Sequence, residues 1–137
     1  ERAGSSHVLH LHGQLDYVRA LDNEKLRWRL TPEDPDTSVD TVIEGHHVRP
    51  DIVFFQEAVP NFDPATRIVA EADIFVIIGT SLVVYPAAAL ISYVRRGIPV
   101  FYIDPRPSEV PQGVHIIRTG AGEGVARLAE ILRKSYL

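Results

Sequence analysis

From residue 74 onward, hydrophobic positions alternate between two periods. Ile74 to Ile78 is a continuous run of β-branched and aromatic side chains, the pattern of a strand covered on both faces. Pro86 opens a helical stretch with Leu90, Ile91 and Val94 on one face and Gly97 as its stop. Pro99 to Ile103 reads as the next strand, because Pro is tolerated at a strand's first position. Asp104-Pro105-Arg106-Pro107 breaks structure, and Val114 to Ile117 is a third short strand. Gly120-Ala121-Gly122 leads into a last helix, with Val125, Leu128 and Leu132 at helical spacing and Glu130 and Lys134 paired on its outer side. Upstream, Asp63-Pro64 has the form of an N-cap followed by a first-turn proline, and Ala65, Ile68, Val69 and Ala72 then make an apolar stripe. Ile52 to Phe55 is one more strand candidate. The alternation predicts an α/β fold, a parallel sheet with helices on both faces.

Residues 14–48 are polar and weakly periodic, with clusters of Pro, Asp, Thr and Ser. Within them only Leu26, Trp28 and Leu30 alternate, which predicts one strand of a short hairpin in an inserted small module. Residues 74–94 carry no charged side chain and imitate a bilayer span, which takes ~20 apolar residues. Gly79-Thr80-Ser81 and Pro86 interrupt that stretch, and each half has its own period, so a buried strand followed by a helix accounts for it.

Composition then narrows the chemistry. The 137 residues are 45% hydrophobic and 23% charged, enough apolar surface for a core and unlike a disordered chain. There is no cysteine, which excludes disulfides, thiolate-ligated zinc, iron–sulfur clusters and cysteine nucleophiles. There is no methionine and position 1 is Glu, so the chain is expected to be a piece of a longer polypeptide. A formal charge of −4 argues against a basic nucleic-acid-binding face. The first residues carry neither a basic region nor an apolar run of the kind that marks a signal peptide.

Ligands of open α/β sheets bind beyond the carboxyl ends of the strands. That rule selects Gly79-Thr80-Ser81, Asp104 and the Gly120–Gly122 opening of the last helix. Glycine admits close backbone approach, hydroxyls bond phosphate or ribose, a carboxylate suits a ribose diol, and a helix start offers free N–H groups. Ordinary turn chemistry uses the same residue types, and there is no Gly-x-Gly-x-x-Gly or Walker loop. His10 and His12 alternate and share a face if their segment is a strand, but no third metal ligand is placed by spacing, and His46 and His47 point apart in an extended chain. A histidine beside Gly at a strand end also suits a general base.

Several strings then resemble one family together. Arg2-Ala3-Gly4-Ser5 leading to His12-Gly13 resembles the sirtuin segment that ends in the catalytic His-Gly. Arg49-Pro50-Asp51-Ile52-Val53-Phe54-Phe55-Gln56-Glu57 is similar to the sirtuin Arg-Pro-x-x-Val-x-Phe-Gly-Glu strand. Gly79-Thr80-Ser81-Leu82-Val83-Val84-Tyr85-Pro86-Ala87 closely resembles Gly-Thr-Ser-Leu-x-Val-x-Pro-Ala, and Gly97 to Asp104 is similar to the strand ending in Ile-Asn.

The resemblance implies the later half of a Rossmann-like parallel sheet plus a small cysteine-free module. Its boundaries would be a lead-in strand with the catalytic histidine over 1–13, the module over 14–48 and the NAD-binding part over 49–137. It implies NAD-dependent removal of acyl groups from protein lysine, giving nicotinamide and O-acyl-ADP-ribose. His12 would be the base. Gly79, Thr80, Ser81, Asp104, with Pro105 and Arg106 beside it, and Ala121 would bind NAD. Val53, Phe54, Gln56 and Glu57 would meet the acyl-lysine, and backbone near Val84 would clamp the peptide as an added strand. No metal, nucleic acid or membrane is implied, and the location would be cytoplasmic. A first half carrying the Gly-Ala-Gly turn and the nicotinamide pocket, or another chain, would cover an open sheet edge. Three departures stand out: no paired cysteines between Gly13 and Arg49, Gln56 where the family has Gly, and Asp104 where it has Asn. The alternatives are a non-catalytic NAD- or ADP-ribose-binding module, a sirtuin-like NAD hydrolase, and an association piece whose sheet edge pairs with another chain.

Overall fold

The polar stretch after Gly13 builds most of an antiparallel sheet. In the computed structural model, which describes residues 1–33 and 36–135, strands β1 (Gly13–Ala20), β2 (Arg27–Arg29), β3 (Val42–Ile43) and β4 (His46–Ile52) pair in the order β2-β1-β4-β3. The chain divides into two compact units, Glu1–Asn61 and Phe62–Leu137, and this sheet belongs to the first. Val18, Ala20 and Val48 are its buried residues, with Ala20 opposite Val48 in register. The other face carries Arg27, Arg19 and Arg49 in one row across β2, β1 and β4. The β3–β4 hairpin turns on Glu44 and Gly45, both at positive φ (51° and 87°), which is the two-residue turn that matches strand twist. Pro50 offers no N–H to the ladder, and β1 shifts register between Gln14 and Val18 where it meets Pro50.

Three expectations change in this unit. No strand precedes Gly13: residues 5–10 have no regular structure and Leu11 and His12 lie in a turn, so His10 and His12 do not share a strand face. The strand expected over Ile52 to Phe55 instead ends at Ile52 and is antiparallel, because the chain folds back at Phe54 through a Glu57 N–H to Phe54 carbonyl bond of 3.2 Å. The single short hairpin expected in residues 14–48 is a four-stranded sheet that runs on to Ile52.

The second unit holds helix α1 (Phe62–Glu71), β5 (Phe75–Ile78), a 3-10 helix (Ala87–Tyr93), β6 (Val100–Ile103), β7 (Val114–Ile117) and helix α2 (Ala121–Ser135). β5, β6 and β7 form the expected parallel sheet in that order, with Ile78, Ile103 and Ile117 aligned at its carboxyl edge. Among the described residues β5 pairs only with β6. Phe101, Ile103, Ile117 and Leu128 make the core between sheet and α2, with Ile74, Val76 and Leu132 packed against it. Strand alternation puts Ile77 and Tyr102, both buried, on the opposite face. Ring contact between Phe62 and Tyr93, edge to face at 5.8 Å, joins α1 to the 3-10 helix.

The helical stripes are narrower than their spacing suggests. Ile68 and Val125 are exposed, while Ala65 and Val69 on α1 and Gly124 and Leu128 on α2 are buried. Asp63 lies inside the first turn of α1 rather than at its cap. The stretch after Pro86 winds as a 3-10 helix, a form used in short pieces, with the Ala89 N–H bonded to the Pro86 carbonyl at 2.9 Å. The uncharged residues 74–94 are therefore a strand, a loop and this short helix, and no helix among the described residues is long and apolar enough to cross a membrane.

Gly124 fixes how α2 docks. A Cβ there would lie 2.1 Å from the Cγ2 of Ile103, a fully buried branched side chain with little freedom to move. Overpacking costs about 1–3 kcal/mol, against a helix-propensity gain of ~1 kcal/mol for alanine over glycine. Gly124→Ala should lower the denaturation midpoint. Gly122→Ala, which meets open space, should leave it unchanged or raise it. Urea titration of the two variants compares them directly.

Candidate functional site

In the first unit the sequence-predicted residues gather around two turns. His12 is half-buried in the turn that precedes β1, and its carbonyl accepts the Val53 N–H at 2.9 Å. Its imidazole makes no hydrogen bond among the described residues, whereas His10 bonds Glu1 at 2.9 Å and His46 bonds Asp22 at 2.9 Å. Among the described residues no group of three or more His, Asp or Glu is arranged to hold a metal ion. Gly13 makes the turn possible. It sits at φ 90°, and a Cβ on it would fall 2.0 Å from the Asp51 carbonyl oxygen and 2.8 Å from the Ile52 Cα. Only glycine lets β1 begin this close to the end of β4.

Val53 to Glu57 form the second turn, and Glu57 holds it. Its carboxylate accepts Arg49 Nη1 at 2.6 Å and Nη2 at 3.1 Å, a bidentate pair, and the Phe54 N–H at 3.0 Å. Arg19 lies 3.7 Å away on the same carboxylate. Chiefly the Arg49 hydrogen bonds, with the Phe54 N–H next, hold the Glu57 carboxyl below the usual glutamate value. The Arg49 guanidinium also sits over the Phe54 ring at 4.4 Å and donates to the Ile52 carbonyl at 3.3 Å. Gln56 adopts φ 72°, the left-handed region that favours glycine. A cleft of 450 Å³ in this unit has His10, Leu11, Val53, Arg19, Arg27 and Asp51 among its lining residues. Glu57, expected on the substrate side, is held here by Arg49.

In the second unit the predicted nucleotide residues occupy three neighbouring strand ends. The Gly79 N–H bonds the Ile103 carbonyl at 2.9 Å and the Asp104 N–H bonds the Ile117 carbonyl at 3.3 Å, so the β5, β6 and β7 ends stay in register. Gly79 adopts φ 61° and Leu82 φ 55°, and the Leu82 N–H bonds the Thr80 hydroxyl at 3.2 Å. Thr80 and Ser81 are exposed. Asp104 is half-buried, and one carboxylate oxygen accepts the Arg106 N–H at 2.7 Å across Pro105, which leaves the other oxygen open. Ala121 is the first residue of α2. Just behind it, Glu123 accepts the Thr119 hydroxyl at 2.7 Å and Arg127 at 2.5 Å, and these partners, Thr119 first, lower its carboxyl pKa. Val84 is half exposed, and its carbonyl accepts the Ala88 N–H at 2.8 Å.

The pairings of three residues escaped sequence reading. Arg49 was visible as a motif residue, and its spacing of eight to Glu57 across an apolar turn was the available signal for their pairing. Tyr102 and Ser108, which bond the Thr80 and Ser81 carbonyls, gave one signal only: a tyrosine in a buried strand needs a partner for its hydroxyl.

A model of the Sir2 family matches residues 1–86. Over 138 aligned residues the chain is 49% identical to an NAD-dependent protein deacylase of Bacteroides thetaiotaomicron, covering 96% of this chain and 59% of that protein. It is 42% identical to an NAD-dependent protein deacylase of Helicobacter pylori, covering 88% of this chain and 53% of that one. Among solved structures, a complex of a Sir2 homologue with NAD superposes with a TM-score of 0.81 at 33% identity, over 98% of this chain and 54% of the other. A Sir2 mutant with a p53 peptide and NAD gives 0.77 at 26% identity, over 98% of this chain and 60% of the other. The chain spans a little over half the length of the curated relatives it matches.

Two outcomes follow from the turns. Because the folded-state pKa of Glu57 is depressed, its contribution to stability is complete above the ordinary glutamate value of ~4.3 and is lost as pH falls through the depressed folded value. Glu57→Gln should therefore be less stable than the parent near neutrality, and the gap should close in strong acid, as read by urea titrations across pH. Gly13→Ala should cost more than ~1 kcal/mol, since it combines left-handed strain with a backbone clash. Amide exchange should place the loss at the Val53 N–H.

Proposed function

The chain belongs to the Sir2 family, and we propose that it carries the general base, part of the acyl-lysine channel and the adenosine-side strand ends of an NAD-dependent protein deacylase. One observation carries most of this reading. Three consecutive parallel strand ends present Gly79-Thr80-Ser81, Asp104 and the start of α2 at a single sheet edge. Those residues fit a dinucleotide. Thr80 and Ser81 offer hydroxyl donors, the open oxygen of Asp104 accepts from a ribose hydroxyl, and glycine at φ 61° keeps the backbone bare.

NAD, if bound, would supply the activated ribose carbon, where the acyl oxygen would replace nicotinamide as the carbon–nitrogen bond breaks. His12 would take a proton from a ribose hydroxyl; its ring is free of protein hydrogen bonds among the described residues. An imidazole is the side chain type suited to that step. The bond between the Val53 N–H and the His12 carbonyl couples the base to the residue that meets the acyl group. Phe54, braced by Arg49, gives that channel an apolar wall, and Gln56 and Glu57 close the turn. Beside the 3-10 helix, the Val84 carbonyl accepts the Ala88 N–H, and backbone near Val84 is the edge for an added substrate strand. Pro105, Arg106 and Ala121 complete the nucleotide side. An acylated protein or peptide as substrate, and a cytoplasmic location, belong to the same reading.

The test uses the polypeptide as its gene encodes it, with NAD and an acetyl-lysine peptide. His12→Ala should reduce nicotinamide release by ~100-fold or more, the scale of a lost general base, with ADP-ribose affinity nearly unchanged. An equal loss of ADP-ribose affinity would assign His12 a structural role. ADP-ribose binding without turnover would favour a binding module, and NAD consumption without peptide a hydrolase.

A further inference from the structure

Tyr102 is fully buried in the middle of β6, next to Phe101 in sequence. A phenylalanine would fill the same space, so packing alone does not account for the hydroxyl. That hydroxyl leaves the core and donates to the Thr80 carbonyl at 2.6 Å. It also accepts the Ser108 N–H at 3.2 Å. Ser108 in turn donates its own hydroxyl to the Ser81 carbonyl at 2.5 Å. One buried phenol therefore ties the loop after β5 to the loop after β6, and Ser108 closes the tie from the other side.

The consequence falls on Thr80 and Ser81. Their carbonyls are drawn inward by Tyr102 and Ser108. The Thr80 hydroxyl already accepts from the Leu82 N–H, and its O–H remains available as a donor. Ser81 keeps its whole hydroxyl. Gly79 and Leu82, both at positive φ, bracket this short loop, and the glycine gives it conformational choices that its sequence does not remove. The tie selects one of them.

We propose that Tyr102 is a positioning residue for nucleotide binding, holding Thr80 and Ser81 in the orientation that presents their hydroxyls, with Ser108 as its second arm. The inference rests on the reading of Gly79–Ser81 as nucleotide ligands. The mechanism is preorganisation: a loop already held in its bound form loses less freedom when the ligand arrives.

Two measurements on the same variants separate this inference from the reading beneath it. The first is amide exchange, which needs no ligand. In Tyr102→Phe the Ser108 and Leu82 amides should exchange faster while those of Phe101 and Ile103 stay protected. Unchanged exchange at Ser108 and Leu82 overturns the tie, whatever binds. The second is ADP-ribose affinity by calorimetry, on the polypeptide as its gene encodes it. Tyr102→Phe should weaken it by about three- to tenfold, the scale of one or two lost hydrogen bonds, and Ser108→Ala, at a less buried site, by less. Ile117→Val removes one methylene from the core on the other face of the same sheet and serves as the stability control. It should lower the denaturation midpoint without changing the affinity. If Ile117→Val weakens ADP-ribose as much as Tyr102→Phe does, the effect is general softening and the proposal fails. If the parent does not bind ADP-ribose, the nucleotide reading of this loop fails and with it the proposed role of Tyr102 in binding.

Discussion

Each unit depends on one position where a side chain is forbidden. At Gly13 a Cβ would meet the Asp51 carbonyl oxygen at 2.0 Å, and at Gly124 it would meet the Ile103 Cγ2 at 2.1 Å. The first lets β1 start against the end of β4, which fixes the turn that carries His12 and its bond to Val53. The second lets α2 lie on β6, which fixes where Ala121 stands relative to the strand ends of its own sheet. Interiors packed at crystal density do not absorb a methyl group at such contacts. The candidate chemistry therefore sits next to places where backbone or core geometry is least negotiable.

Charge organises the first unit in a comparable way. Arg27, Arg19 and Arg49 stand in a row across three strands, and like charges directly opposite one another are destabilising. Asp51 pairs with Arg27, and Glu57 takes both Arg49 and Arg19. The bidentate geometry restricts Glu57 to one place, and the carboxylate then captures the Phe54 N–H. The turn that offers Val53 and Phe54 is thus a by-product of neutralising an arginine row. In the same turn Gln56 holds a left-handed φ of 72°. That conformation explains the glycine of the resembling motif: it answers a backbone requirement. Gln56 meets the requirement at some cost in strain and places an amide where the family motif has no side chain.

The parallel sheet was legible because its strands are buried on both faces and announce themselves as continuous apolar runs. Ile74 to Ile78 gave β5, and Val114 to Ile117 gave β7 residue for residue. The antiparallel sheet was nearly invisible for the opposite reason. Its buried set is Val18, Ala20 and Val48, and the arginine row and the Pro50 register shift interrupt the period-two signal over the rest. The Glu44-Gly45 hairpin lacks the Asn or Asp that usually marks such a turn, and its conformation shows only in φ. The narrowed stripes of α1 and α2 have another cause: helical spacing says which residues share a face, and only the neighbouring element decides how wide that face is.

The site divides along the same line. Gly79-Thr80-Ser81, Asp104 and His12-Gly13 stand out as candidates because strand ends and motif strings are local in sequence. The groups that hold them are not local. Tyr102 reaches Thr80 across 22 residues, and Ser108 reaches Ser81 across 27. Sequence offered Tyr102 only as another apolar position in a strand, since its ring satisfies the pattern as well as a phenylalanine would. A buried hydroxyl must nevertheless be paired, because leaving it unpaired costs more than the bond returns. That pairing is what links a core residue to the Thr80 loop. Asp104 illustrates the complementary case. The residue type says acceptor, but the structure shows one oxygen already taken by the Arg106 N–H. A carboxylate with one oxygen committed and one open has a direction, and that direction is what a ribose hydroxyl would meet.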